Sequence, residues 1–295
     1  MNARTSNPGA LPRLRALAYW IPTLIIVTES LVGGTWDILR TDYVRDVLET
    51  QLGLPTYVAV VLGVWKIPGA VVLLLPRLPR LKEWAYAGIF FVYTGAFASH
   101  LFIGDTAGAF GPLGFAAITM ISWALRPASR RDPAPYSPRF ARFVPPAPPR
   151  GKVTTIAYWA LALTVAVVLF SGGIADVAHV DDTLAGMVAL GYPAYFLYII
   201  GTWKLLGAVA ILAPRFTRLK EWAFAGAFFN FSGAVISHLA SGSSGDHVAV
   251  TSLFALCTLG AWALRPGSQV LGDLYTGGDA STEPADRRAL ATVAS

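Results

Sequence analysis

The chain has 295 residues, of which 55% are hydrophobic and 14% are charged, and its mean hydropathy is +0.54. This composition excludes an ordinary soluble domain, in which roughly 25% of residues are charged. The net charge of +6 does not indicate nucleic acid, because the basic residues lie in short loops between apolar runs. The single cysteine, Cys257, excludes an internal disulfide, a Cys-x-x-Cys redox pair, a cysteine-ligated iron–sulfur cluster and covalent haem attachment.

Eight apolar runs are long enough to cross a bilayer, where helices are the default because lipid offers no partner for free backbone groups. They cover about residues 17–36, 57–75, 84–103, 107–125, 153–174, 194–213, 222–240 and 247–264. The first run lacks an Ala-x-Ala cleavage site, so we expect a retained membrane helix rather than a signal peptide. The period-two alternation of a membrane barrel is missing. The sequence therefore predicts an all-α, multi-pass membrane protein with eight transmembrane helices.

The two halves of the chain repeat each other. The 26 residues from Gly63 to Gly88 match those from Gly201 to Gly226 at 17 positions. Each half has four apolar runs, an even number, so both halves enter and leave the bilayer on the same side. We therefore expect two fused four-helix bundles, related as parallel repeats by a pseudo-twofold axis along the membrane normal, which excludes an inverted-repeat transporter.

The composition divides the chain into five segments. Its N-terminus (1–16) precedes a first repeat (17–127), and a linker (128–152) rich in proline and arginine leads to a second repeat (153–266). The remaining tail (267–295) is polar and rich in small residues, and we expect it to be disordered.

Basic residues predict the orientation. Of the 23 Lys and Arg residues, 19 lie in the N-terminus, in the loops at 76–83, 126–152 and 214–220, and from Arg265 to the end of the tail, all on one side. Short cytoplasmic loops carry such an excess. We therefore predict a protein of the cytoplasmic (inner) membrane with both termini in the cytoplasm.

A short amphipathic stretch lies between the first two runs of each half. In the first half Asp42 can cap it and Gly53 can end it. The counterpart begins at Asp181 and ends at Gly191. We interpret both as helices lying on the outer surface of the membrane, rather than as ordered loops.

A lysine lies in the middle of an apolar run in each half, Lys66 and Lys204. A charge at that depth costs roughly 2.5–3.5 kcal/mol, so each amine should face the bundle interior and have a partner. Glu29 is the expected partner of Lys66. The second half has Val168 in its place, which leaves Lys204 without a matching acid. We expect Lys204 to depend instead on neutral polar side chains: Asn230, Ser232 or Thr164.

Four further candidates occupy the outer ends of the predicted spans: His100, His238, Asp37 and Asp176. A symmetric histidine pair is compatible with a bis-histidine haem or a metal site. However, each half offers one such histidine without the ligand spacing of a closed site. We therefore favour histidines that cap helices at the interface, and we predict no metal.

The repeated Lys-Glu-Trp at 82–84 and 220–222 indicates a structural anchor. A glutamate in the first turn suits the helix dipole and the tryptophan suits the membrane interface. The sequence shows no Walker motif, nucleophile elbow or His-Glu-x-x-His, so it identifies no self-contained enzyme.

A series of short motifs occurs twice in the same order, over 17–127 and 156–266: Tyr-Trp, Gly-Gly-x-x-Asp, Trp-Lys-x-x-Gly-Ala, Leu-Lys-Glu-Trp-Ala-x-Ala-Gly, Ser-His and Leu-Arg-Pro. This motif order resembles the DoxX-like family of small four-helix membrane proteins. The resemblance implies one four-helix bundle per repeat in the cytoplasmic membrane. It also implies a link to membrane oxidoreductases, since some relatives are subunits of such complexes, including a thiosulfate:quinone oxidoreductase. It implies no catalytic residues.

Three functions are compatible with these features. We favour an accessory subunit of a membrane redox complex that binds a quinone or a lipid-like molecule near Lys66 and Glu29, or near Lys204. A non-catalytic scaffold that recognises other membrane proteins is the second. The third is a small-solute or proton-coupled carrier that uses the Lys66–Glu29 pair.

Overall fold

A computed structural model describes residues 10–76, 78–131, 151–214, 216–266 and 269–270, and within these ranges it contains helices and no strand. Up to residue 131 the elements are α1 (Ala10–Leu39), α2 (Asp42–Val44) with a π-helical continuation (Arg45–Gln51), α3 (Tyr57–Leu74), α4 (Pro79–Phe102), α5 (Thr106–Ala124) and α6 (Ala128–Arg131). From residue 151 they are α7 (Lys152–Val177), α8 (Asp181–Ala189), α9 (Phe196–Leu212), α10 (Thr217–Ala240) and α11 (Gly245–Leu264). Most of the expected linker and nearly all of the expected tail lie outside the described residues.

The helices confirm an all-α membrane protein made of two repeated units. In the described ranges, seven helices are long and apolar enough to cross a membrane. The eighth predicted span is α9, a shorter apolar helix of 17 residues. Large apolar side chains cover the outside of the bundle, for example Phe110, Val167 and Leu256 at 72%, 63% and 65% exposure. Such a surface requires lipid around it.

Two helices begin earlier than their hydropathy predicts. The apolar runs begin at about 84 and 222, and Lys82-Glu83 and Lys220-Glu221 were expected to mark the helix starts, whereas α4 begins at Pro79 and α10 at Thr217. Each helix therefore begins three residues before its Lys-Glu pair. Lys82 and Glu83 are fully buried within α4.

The short amphipathic stretches are helical, but the expected cap is wrong. In the first repeat Thr41 precedes the helix and makes no side-chain cap. The carboxylate of Asp42 instead accepts a hydrogen bond from Arg45. Gly53 and Gly191 end the two stretches with φ of +65° and +86°, a conformation that glycine adopts without strain.

Each repeat has its own apolar core, formed where its four long helices pack together. The close contacts between α1 and α3 and between α7 and α9 depend on glycines. A Cβ at Gly63 would lie 2.4 Å from the carbonyl oxygen of Gly34, and one at Gly201 would lie 3.0 Å from that of Gly173. These glycines let the helix backbones approach closely.

The repeats are bonded to each other at both ends of the bundle. We call the end formed by residues 74–76, 78–79, 124–131, 212–214 and 216–217 the basic end. There Trp84 Nε1 donates to Glu221 of the other repeat at 3.1 Å, and Trp222 Nε1 donates to Glu83 at 2.8 Å. These two reciprocal bonds form the basic-end clasp.

The opposite end, formed by residues 39–57, 102–106, 177–196 and 240–245, is the acidic end. Tyr57 donates its hydroxyl to the carbonyl oxygen of Leu190 at 2.8 Å. Tyr195, the counterpart of Tyr57, donates to that of Leu52 at 2.7 Å. These two bonds form the acidic-end clasp, so both contacts obey the twofold relation of the repeats.

Candidate ligand-binding site

A cavity of about 690 Å³ lies between the two repeats. Its walls come mainly from α3 and α4 of the first repeat and α9 and α10 of the second. They are largely apolar, and nine aromatic side chains contribute to them: Trp65, Trp84, Phe90, Phe91, Phe196, Trp203, Trp222, Phe228 and Phe229. This volume is in the range of pockets that bind small molecules, roughly 300–1,000 Å³.

The aromatic rings pack across the boundary between the repeats. Trp65 lies edge-on to Phe229 with ring centroids 5.1 Å apart, and Trp203 lies edge-on to Phe91 at 4.8 Å. Gly88 makes room for one of these rings, since a Cβ there would lie 3.0 Å from Phe229. Aromatic rings from both repeats therefore form the walls by packing against each other.

Lys66 lines the cavity and is held by two carboxylates. Its Nζ lies 3.0 Å from Asp37 and 3.4 Å from Glu29, and its side chain is 11% exposed. Glu29 fits here because position 33 is glycine: a Cβ at Gly33 would lie 2.6 Å from Glu29 Oε1. The ring of Tyr93 lies 5.8 Å from the amine. Glu29 is therefore a partner of Lys66, but Asp37 is closer.

Lys204 also lines the cavity, and the expectation that it lacks an acid is wrong. Its Nζ lies 2.7 Å from Asp176, whose side chain is 1% exposed. Helical side chains lean towards the N-terminus of their own helix, so Lys204 extends towards the acidic end and reaches Asp176 next to the last residue of α7. The hydroxyls of Thr164 and Ser232 donate to carbonyl oxygens in their own helices.

Asp37 and Asp176 were expected at the outer interface, separate from the lysines. The structure brings each to the lysine of its own repeat instead. A sequence signal was present, because both aspartates close a Gly-Gly-x-x-Asp motif at equivalent positions. Hydropathy treats them as the polar ends of spans and cannot assign the contact.

Asn230 lines the cavity from α10. Its side chain makes no hydrogen bond to any residue that the structure describes, Lys204 included. The equivalent position of the first repeat, Val92, also lines the cavity. Asn230 is thus a polar group that one repeat contributes and the other does not.

The two histidines lie at the acidic end, with different partners. His100 Nδ1 lies 2.9 Å from Asp105, and His238 Nδ1 lies 3.0 Å from Ser243. Asp105 also accepts the backbone N–H of Gly108 at 2.9 Å. That bond, followed by the contact with His100, lowers the pKa of Asp105. No group of three metal-ligating side chains occurs among the described residues.

Two buried glutamates were missed as sites. Glu83 accepts from Trp123 Nε1 at 2.7 Å and from Arg126 at 2.8 Å, besides Trp222. Glu221 accepts from Trp262 and Arg265, the equivalents of Trp123 and Arg126, and from Trp84. Both carboxylates are 0% exposed, so they bond inside the fold, and the prediction of a structural anchor did not identify these partners. Their sequence signal is the repetition of Lys-Glu-Trp together with Trp-Ala-Leu-Arg-Pro.

The lysines beside these glutamates cap the C-terminal ends of neighbouring helices. Lys82 donates to the carbonyl oxygen of Val72 at 2.6 Å and to those of Leu73 and Leu75. Lys220 donates to the carbonyl oxygen of Ile211. Each ammonium thus bonds terminal carbonyl groups that lack a partner in their own helix.

Comparison with known proteins gives a match to a protein-family model. The model of the DoxX-like family matches the chain twice, over residues 21–122 and 160–261. Neither the curated proteins nor the solved structures provide a match. The two matched ranges fall within the two four-helix repeats.

Proposed function

The chain belongs to the DoxX-like family, and we propose that it binds a quinone or a lipid-like molecule in the cavity between its repeats. It does so as an accessory subunit of a membrane redox complex. The observation that carries the proposal is the cavity itself, an apolar and aromatic space that two ion-paired lysines reach.

The cavity has the composition expected of a site for a lipophilic ligand with a polar group. Such sites are lined by apolar and aromatic side chains and contain a few polar groups that fix orientation. Here the lining includes Lys66, Lys204 and Asn230 among aromatic and aliphatic residues. A quinone ring or a lipid chain could occupy this space without breaking a hydrogen bond or an ion pair of the protein.

In this proposal the electron-carrying groups belong to another subunit of the complex. The chain has one cysteine and no nucleotide-binding motif, which supports a binding role beside a protein that carries the electrons. We further propose that the basic end faces the cytoplasm, with both termini there, because basic residues are concentrated at that end.

The carrier function is the alternative that the contacts favour least. Rocking of one repeat against the other would break the basic-end clasp or the acidic-end clasp. A cysteine placed beside Lys66 in a Cys257→Ala background would be labelled by aqueous thiol reagents in a carrier. A scaffold would instead be recovered from mild detergent with a stoichiometric protein partner and an empty cavity.

Thermal unfolding with a quinone tests the proposal. Decylubiquinone at 100 times its dissociation constant should stabilise the purified protein by about 2.7 kcal/mol, seen as a raised Tm. Gly95→Leu should abolish the shift, because Gly95 lines the cavity and a Cβ there meets no atom within 4 Å. Its repeat counterpart, Gly233, has the same space and does not line the cavity, so Gly233→Leu should keep the shift. A wild-type protein with no shift would overturn the proposal.

A further inference from the structure

We propose that the second repeat binds the polar head of the occupant, through Lys204 and Asn230, and that this head is a neutral group with carbonyl oxygens. The inference rests on the proposed ligand cavity and assigns its orientation and its chemistry. The first repeat then supplies mainly apolar wall, together with the indole N–H of Trp65, and Lys66 is retained by its own carboxylates.

The formal charges of the two lysine sites differ. Lys66 has two carboxylates within 3.4 Å, Glu29 and Asp37, which gives that site a net charge of −1. Lys204 has one, Asp176, so its site is neutral. The second repeat lacks a counterpart of Glu29 because it has Val168 there. A carbonyl oxygen carries partial negative charge and is therefore attracted more strongly to Lys204 than to Lys66.

The surroundings of the two ammonium groups give the same preference. Lys66 lies between two carboxylates, because its Nζ is 3.4 Å from Glu29 and 3.0 Å from Asp37, whereas Lys204 contacts Asp176 alone at 2.7 Å. The side chain of Lys204 is also the more exposed, at 18% against 11%. Lys204 is therefore the more accessible of the two lysines to an occupant.

Asn230 adds a second polar group on the same side. It lines the cavity without a hydrogen bond to any described residue, and Val92 occupies the equivalent place in the first repeat. An amide at membrane depth without a partner is costly. A ligand that bonds Asn230 accounts for it, and its location on α10 of the second repeat agrees with the preference for Lys204.

The chemistry of the occupant follows from these groups. Each lysine already has its counter-charge, so an anionic head would bring an uncompensated charge into an apolar space. The available groups are mainly donors, and Trp65 adds an indole N–H that is buried without a partner among the described residues. A neutral lipophilic molecule with carbonyl acceptors satisfies them. Quinones and neutral glycerides share this chemistry, and fatty acids do not.

Calorimetric titration of the purified full chain tests the ligand class. The probes are decylubiquinone, dioctanoylglycerol and oleate, each measured in the same neutral detergent. We expect at least one of the two neutral probes to bind at least tenfold more tightly than oleate, and the tighter one identifies the source. Failure of all three to bind would overturn the proposed function, whereas tighter binding of oleate would overturn this inference alone.

Variants of the second repeat test the orientation. Asn230→Val, which copies the first repeat, should weaken the bound neutral probe about 3- to 10-fold, the worth of one hydrogen bond. Lys204→Met combined with Asp176→Asn removes the ion pair without leaving a lone charge, and it should weaken binding at least as much. Ser232→Ala is the control, because Ser232 lies on the same helix but does not line the cavity.

The corresponding variant of the first repeat decides between the two lysines. Glu29→Val, Asp37→Asn and Lys66→Met together remove that charged group and should change the dissociation constant less than the Lys204 variant does. Equal or greater loss from the first repeat, or an unchanged constant in Asn230→Val, would overturn the inference. If the multiple variants fail to fold, the single Asn230→Val and Ser232→Ala proteins still decide it.

Discussion

At the scale of single residues, Glu83 and Glu221 are held by several partners each. Each carboxylate is 0% exposed and accepts from one arginine and two tryptophans, one of which belongs to the other repeat. A buried ion pair gives little net stability, but removing one partner leaves the other charge uncompensated. The fold therefore depends on these glutamates, because removing either one would leave a buried arginine without its counter-charge.

Glu83→Gln should lower the free energy of unfolding by about 3–5 kcal/mol, because Arg126 would remain buried without its counter-charge. Denaturant titration of the purified protein in detergent measures the change. Glu49→Gln is the control, since the Glu49–Arg40 pair is partly exposed and should contribute about 1 kcal/mol or less. Equal effects of the two substitutions would contradict the assignment.

Asp105 gives a pH dependence that the residue at the equivalent position of the second repeat cannot give. Its pKa is lowered in the folded protein, first by the N–H of Gly108 and then by His100. The stability that it contributes is therefore present above its unfolded pKa, near 4, and is lost as the pH falls through the lower folded value. Ser243 occupies the equivalent position of the second repeat.

We expect Asp105→Asn to flatten the acid limb of the Tm against pH below about pH 4, where the wild-type protein loses this contribution. The Tm of both proteins, measured from pH 3 to pH 7, gives the comparison. A difference between them that grows as the pH falls would refute this role for Asp105.

At the scale of helices, the lysine sites depend on how closely two pairs of helices approach. Gly63 and Gly201 lie one turn before their lysines, where α3 meets α1 and α9 meets α7. Without that approach Lys66 would not reach Asp37 and Lys204 would not reach Asp176. The small residues thus set the geometry of the charged groups.

Gly63→Ala should destabilise the protein by about 1–3 kcal/mol, because the added Cβ would overlap the carbonyl oxygen of Gly34 at 2.4 Å. Gly114→Ala, at a helical position where a Cβ meets nothing within 4 Å, should be neutral or stabilising through its helix propensity. Unfolding titrations compare them. A neutral Gly63→Ala would indicate that α1 and α3 pack less closely.

The sequence predicted the long helices well and their polar ends poorly. Long apolar runs identify membrane spans because no other structure satisfies the backbone in lipid. Lys82 and Glu83 were assigned to the edge of a span, since hydropathy sees charge and cannot see the arginine and tryptophans that bury Glu83. The contact of Asp176 was missed for the same reason, because its partner Lys204 lies 28 residues away on another helix.

At the scale of the whole molecule, two parallel repeats line a cavity between them and are bonded at both ends. The basic-end and acidic-end clasps are each made of two equivalent bonds that cross between repeats. Duplication explains this form, because one sequence motif supplies both halves of each clasp. Fixed ends with an open middle suit a binding site better than they suit a hinge.

The exchange of partners between repeats could not be predicted. Trp84 and Trp222 have the same local sequence, so nothing in it tells whether each donates to the glutamate of its own repeat or to that of the other. The candidate lysines and Asn230 could be selected as polar residues in apolar runs. Their common cavity depends on packing between the halves, which periodicity within one helix does not contain.

Native mass spectrometry after gentle purification tests the central claim, that the cavity between the repeats holds a small lipophilic molecule. We predict one neutral, carbonyl-bearing molecule per chain, retained by Gly233→Leu and lost from Gly95→Leu, whose side chain would fill the cavity. A bare chain, or the same bound molecule in both variants, would contradict the claim.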